Sequence, residues 1–438
     1  MSTQILDHTT AEEKLIWYSL VLSYPVYFLG ASYVLGSILG WVVLGIFLLR
    51  VLLGKLPATH SISTLLYLWV AGMLMMELAL FMGHLEFNLG LGQLVKSSIG
   101  WAKGWALLAL FISLGALMPI KKGLIARGAC IVGFHSLLFF VLSLVVYIAG
   151  MSGDIYLSPI QAIGGPGPEF FQVKLFGINP ETGLPRWQFF APWSPAIGLQ
   201  SCLMLILCLN EKSLTWKVLG ISGALVMCLA SQSRAGWFIF LVILPLLVLL
   251  SNVRNTKILF LSAITLTLIA LPGQVLIDYA LDAYQQVKDS RPGSTRVRGA
   301  LEKLALQRWQ HEAPIWGHGI VERGPHYVEH MAIGTHHSWY GLLFVKGIVG
   351  ALALAIPLLF TALYLLFQAQ FRKDAVSSLG LIIVLIAYSF FENLEILVYL
   401  YWPALLWIGA SLRVEAPVKN KVEKRQQPKH SMIQGVQI

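Results

Sequence analysis

Charge is what this sequence has least of. Only 12% of its 438 residues are Asp, Glu, Lys or Arg, about half of the ~25% usual in a soluble globular chain. With 57% of the residues hydrophobic and a mean hydropathy of +0.73, a soluble fold is excluded and a polytopic membrane protein is implied. Acids are the scarcer sign, 21 against 31 Lys and Arg, leaving a net charge of +10. Most of the basic residues stand in short gaps between apolar runs, where the positive-inside rule expects them, so no nucleic-acid partner is implied. Cysteine is rare too. Cys130, Cys202, Cys208 and Cys228 all fall in apolar runs, which excludes a disulfide framework and a CxxC metal pair. HExxH is absent, and no carboxylate cluster completes a ligand set around the histidines, so neither metal nor cofactor is expected. No repeat relates the two halves, which counts against an inverted-repeat transporter. The opening MSTQILDHTTAEEK lacks the basic n-region of a cleaved signal peptide, so the first apolar run is expected to be retained.

What is present is a series of apolar runs of membrane-crossing length. At about 20 residues per crossing, the region 15–53 holds two helices broken near Gly30–Ser32. Further spans are expected at 61–82, 104–120, 128–150, 194–210, 217–231, 236–251 and 258–276. Three more follow, one from near His337 to just before Arg372, then 375–391 and 395–412. This predicts an all-α protein of about twelve transmembrane helices, with a large polar loop between the ninth and tenth. The division is a cytoplasmic N-terminus at 1–14, helices 1–9 within 15–276, the large loop at 277–336, helices 10–12 within 337–412, and a basic tail at 413–438. An aromatic, Pro- and Gly-rich loop at 151–193 interrupts the first set.

The basic gaps at 50–55, 121–127, 212–217, 254–257 and 372–373, together with the tail, alternate correctly if all are cytoplasmic. Both termini then lie inside. The loop 151–193, the SQSRAGW turn, the segment 277–336 and the FENLE turn all fall on the outer face. Arg186, Arg234, Arg298 and His337 therefore share one side.

That face carries the chemistry. Six of the eleven histidines lie between His311 and His337. From Lys288 to Arg308 there are six basic residues against Asp289 and Glu302 alone. Such a segment suits an anionic ligand beside a membrane, with histidine available for proton transfer. An amphipathic helix is predicted over 295–310, with Arg298 and Glu302 spaced i,i+4. Planar guanidinium groups grip phosphate oxygens in pairs, although a solvated basic face is the commoner fate of any one such arginine. Arg234, near membrane depth on an outer face, is costly unless it meets a partner or a wet cavity. His336 and His337 open a membrane helix and suit a general base; an interfacial histidine satisfied by backbone is the alternative. Glu77, His84, Glu86, Glu392 and Glu395 are ionisable groups at or near membrane depth. They keep a lipid-linked oligosaccharide transporter or flippase open as an alternative.

Four motifs together resemble one family. SQSRAGW at 231–237, RVRGALEKLALQRW at 296–309, PIWGHG at 314–319 and HSWYGLLFVKGIVG at 337–350 resemble the O-antigen ligase and polymerase superfamily. The resemblance implies a bacterial inner-membrane glycosyltransferase with its active site on the periplasmic face. Its donor would be an undecaprenyl-diphosphate-linked glycan. Its acceptor would be a hydroxyl of the lipid A core in a ligase, or a growing glycan in a polymerase. By position, His337 fits the catalytic histidine, while Arg234, Arg298 and Arg186 fit the family's arginine positions; Arg296, beside Arg298, is a further candidate for the diphosphate, with His336 and Arg291 in support. The reaction implied is metal-independent and inverting.

Overall fold

A chain surrounded by lipid satisfies its backbone only by closing hydrogen bonds within helices or barrels. Here it uses helices. The computed structural model describes residues 10–54, 60, 61, 63–179, 183–271, 278, 282, 292–328, 330–334 and 337–415, and is 75% helical. Arg291 and His336 lie outside the described residues.

The first apolar region forms α1 (Ala11–Val21), α2 (Ser23–Phe28) and α3 (Ser32–Leu52). The break comes at Gly30, whose φ of 67° is left-handed. Next come α4 (Thr64–Glu86), α5 (Leu91–Lys103) and α6 (Trp105–Leu117). The spans read from the sequence at 61–82 and 104–120 leave the stretch of α5 as a connecting loop. It is an amphipathic helix with its apolar side exposed, Leu91 at 76%, and its lysines mask it in a hydropathy count. Then follow α7 (Lys122–Ile148), α8 (Ser194–Leu209), α9 (Leu214–Ala230), α10 (Arg234–Leu250) and α11 (Thr256–Ala270). The series ends with α12 (Pro292–Glu312), α13 (Ser338–Ala369), α14 (Lys373–Tyr388) and α15 (Leu394–Ser411). Among the described residues, six stretches are long and apolar enough to cross a membrane: Ser32–Leu52, Thr64–Glu86, Leu91–Leu117, Lys122–Ile148, Ser338–Ala369 and Leu394–Ser411. Outward-facing Phe238, Leu241 and Phe260 are largely exposed, as lipid-facing side chains are. This is a multi-pass membrane protein.

Between helices of equal apolarity, close backbone approach replaces the hydrophobic driving force. Accordingly α6 and α15 touch through Gly115 against the Leu406 carbonyl and Gly409 against the Ile112 carbonyl. The pair α7 and α9 meets through Gly133, Gly220 and Gly223. Polar residues lace one end of the bundle together. Arg50 reaches Glu12 at 2.6 Å, Arg127 grips Glu211 with two 2.8 Å bonds, and Lys122 meets Asp374 at 3.2 Å. The basic gaps around 50, 121–127, 212 and 372 thus gather in one layer.

The opposite end holds the loop between α7 and α8. Strands β2 (Asp154–Leu157) and β3 (Gln172–Lys174) pair antiparallel, as do β4 (Gly177–Ile178) and β5 (Pro185–Arg186). A separate pair joins β1 (His60–Ser61) to β6 (Val414–Glu415). Tyr147 packs edge to face with both Phe176 and Trp187, which tilt against each other.

Candidate active site

The site is built on a break in α13. Gly347 leaves the helix with φ 60° and ψ −162°, and the 314–319 loop enters the gap. In an intact helix the amides of Ile348 and Val349 would donate to the Phe344 and Val345 carbonyls. Instead they donate to Pro314 and Ile315, at 3.0 and 3.3 Å. The freed carbonyls accept from His318 and Gly319, at 2.8 and 2.9 Å. Every displaced partner is replaced, as a buried backbone requires. A Cβ on Gly347 would collide with the Ile315 carbonyl, and one on Gly317 with the Lys346 amide. Both residues have left-handed φ, so glycine is required at each.

The loop also anchors α12. His318 is 1% exposed, and its ring spans Glu312 at 2.8 Å and the Phe344 carbonyl at 3.0 Å. Arg308 bonds Glu312 and Glu322 and lies 5.1 Å over the Phe344 ring. The Arg308 guanidinium holds the Glu312 carboxyl down at about 2. His318 and Arg308 therefore bind the protein to itself. Val297, Leu301 and Ala305, four residues apart, pack on Phe344 and Tyr340 of α13. Arg296 and Arg298 flank that stripe and are both exposed. They lie about 200° apart around the helix, so only one of them faces the next group.

Three short segments meet at this end. Arg186 on β5 donates through Nε to the Ser231 carbonyl at 2.8 Å. Gln232 answers by donating to the Pro185 carbonyl at 3.0 Å. This docks Arg186 onto the turn that opens α10, whose first residue is Arg234. Ser233 caps α10 by accepting from the Gly236 amide and packs against Gly198 and Tyr388. Tyr388 ends α14, and the turn after it meets the start of α13. Ser338 Oγ donates to the Glu392 carbonyl at 2.7 Å and accepts from the Leu394 amide at 3.0 Å. Trp339 Nε1 donates to Ser389 Oγ at 2.9 Å.

His337 is the N-cap of α13. Its Nδ1 accepts from the amides of Trp339 and Tyr340, at 3.2 and 3.4 Å. Its ring rests on Tyr340 and Phe390. Burial pushes its pKa down to about 4, so it is neutral at physiological pH.

Glu392 occupies the middle. It is 5% exposed, and Oε2 accepts from Trp193 Nε1 at 2.9 Å. Burial pushes its carboxyl up to about 7, opposed by the positive charges of Arg298 and Arg186 and by the Trp193 bond. Of the two α12 arginines, Arg298 is the one whose positive charge acts on this carboxylate. Trp193 and Arg186 also wall an open cleft of about 860 Å³ lined by Tyr147, Asp154, Lys174 and Phe176.

Arg186, the Arg234 turn, Arg298 and His337 are therefore neighbours around Glu392. Arg296 lies on the other flank of α12 from Arg298. Sequence reasoning noted Glu392 only as one ionisable group among several. Its signal was a carboxylate in the FENLE turn on the same face as three arginines. Glu395 faces Trp105 and Lys346 instead, and His84 is buried with Nδ1 on the Leu80 carbonyl. Among the described residues, no three His, Cys, Asp or Glu side chains gather as a metal site.

Comparison with known proteins agrees with the motifs. Residues 219–355, from within α9 to within α13, match the family described as O-antigen ligase. A search of curated proteins gives no match. The chain carries, over residues 219–355, a domain of the O-antigen ligase and polymerase superfamily.

Proposed function

We propose that the protein is a periplasm-facing glycosyltransferase of the bacterial inner membrane. It takes a glycan from undecaprenyl diphosphate and joins it to a hydroxyl of the lipid A core. The observation that carries this reading is the meeting of Arg186, Arg234, Arg298 and His337 at one end of the bundle, two of the arginines facing a buried carboxylate. In this transfer the donor's anomeric C–O bond breaks and negative charge grows on the departing diphosphate. Fixed guanidinium groups stabilise that charge in proportion to how little they must reorganise, and bidentate geometry suits phosphate oxygens. The acceptor attacks from the opposite face, giving inversion. Twelve crossings with the basic layer in the cytoplasm would put the site outside. A polymerase would use the same donor and the same arginines, extending a growing glycan instead. Deleting the gene and resolving lipopolysaccharide on a gel separates the two. Loss of the whole ladder with lipid A core intact is the ligase result. A single capped repeat is the polymerase result, and an unchanged ladder contradicts both.

A further inference from the structure

Proton transfer in this site falls on a group that no motif marks. We propose that Glu392 accepts the acceptor hydroxyl's proton, and that His337 serves as a hydrogen-bond donor through Nε2. The proposal rests on the glycosyltransferase reading and divides the roles within its site.

The first observation is the state of His337. Its Nδ1 lone pair is taken by two backbone amides, so the neutral ring carries its proton on Nε2. To act as base it must be protonated on Nδ1. That breaks the cap and places a cation against the positive end of α13. A neutral imidazole fixed this way presents one N–H outward, a donor for a sugar or diphosphate oxygen.

The second observation is the surroundings of Glu392. It is a carboxylate on the turn that Ser338 ties to His337, 5% exposed, with one oxygen fixed by Trp193. Trp193 and Arg186 stand in the wall of the 860 Å³ cleft, so Trp193 is shared by the cleft and the carboxylate it bonds, and the acceptor hydroxyl is proposed to reach Glu392 past that side chain. The charged and titratable groups around it are Arg298 from α12, Arg186 from β5, Tyr388 from α14, Arg234 at the start of α10 and His337 at the start of α13. The arginines keep their charge at working pH, and His337 stays neutral above about 4. A carboxyl held near 7 matches what general-base catalysis wants at neutral pH.

The step balances. The acceptor oxygen forms a bond to the anomeric carbon, and its proton passes to Glu392. The bond from that carbon to the phosphate oxygen breaks, its electron pair leaving on the diphosphate beside the arginines. The Glu392 carboxylic acid then releases its proton through the cleft.

The test uses full-length protein with its lipid-linked donor and a lipid A core acceptor, measuring donor binding and transfer across pH. Wild-type transfer rises with pH to a plateau, with a midpoint near about 7. Glu392→Gln keeps the acceptor for Trp193 and binds donor. Its transfer falls by roughly 100-fold or more and the rise disappears. His337→Asn keeps a cap and an N–H; it is slower but retains the rise. If Glu392→Gln does not accumulate, Glu392→Asp is read instead: transfer slows and the rise persists. Normal transfer with an intact rise in Glu392→Gln, or an unchanged rate in Glu392→Asp, overturns the proposal. So does a His337→Asn enzyme that loses the rise while Glu392→Gln keeps it. A wild-type enzyme that binds donor but transfers to no acceptor defeats the glycosyltransferase reading itself.

Discussion

At the scale of single residues, the arginines of this face divide by what they touch. Arg308 is committed to Glu312, Glu322 and the Phe344 ring. Arg298 is exposed, its charge acts on Glu392, and it is one of the residues proposed to hold the diphosphate. Arg→Lys keeps the charge but loses the planar fork. Loss of one contact made in the transition state costs about 2.7–4 kcal/mol, roughly a hundredfold or more in rate. Arg298→Lys and Arg234→Lys are therefore expected to cut transfer at least that much at normal expression. Arg296→Lys, on the other flank of α12, is expected to stay within about threefold of wild type, as surface changes usually do. Transfer assays on one set of membranes check all three, and a deficit at Arg296→Lys equal to that at Arg298→Lys refutes the division. Sequence alone placed these arginines on one face because alternation of basic gaps requires no geometry. It did not separate Arg296 from Arg298, because which flank of a helix meets a partner depends on the packing of Val297 and Leu301. It named Glu392 only as one of five ionisable groups, because one carboxylate in a turn looks the same whether it is solvated or buried.

The helices were legible wherever apolar runs were long and clean, and less so where a helix is short or broken. The amphipathic α5 and the breach in α13 were not visible as such, since the glycines of PIWGHG and GIVG read as turn or packing signals alike. Only the exchange of backbone bonds between 314–319 and 344–349 shows why they are glycines. Gly347→Ala forces a side chain into left-handed backbone, a cost of about 1–3 kcal/mol, and drives it onto the Ile315 carbonyl. Its thermal midpoint in detergent is expected to drop by several degrees, or the protein to fail to accumulate. Gly123→Ala, on α7 with open space around it, is the control and is expected to match or exceed wild type. Equal midpoints for the two variants contradict the inserted-loop account.

Over the whole molecule, charge sits in two layers at opposite ends of an apolar bundle, and the proposed orientation follows from which layer is richer in Lys and Arg. Reporter fusions at Asn210 and Lys373 are expected to give cytoplasmic signals; an outside signal at either one breaks the shared face of Arg186, Arg234 and His337. With arginines proposed to supply the positive charge at the diphosphate, transfer is expected to continue in excess EDTA. Loss of activity restored by one specific metal refutes that account. The most direct measurement is reconstitution. Purified protein is given an undecaprenyl-diphosphate-linked glycan and lipid A core, and both products are followed on a gel. The account predicts that lipid A core shifts to higher mass as donor is consumed, with Arg298→Lys and His337→Ala abolishing the shift. Donor that is consumed into longer lipid-linked chains with lipid A core untouched, or donor that is bound and never consumed, contradicts it.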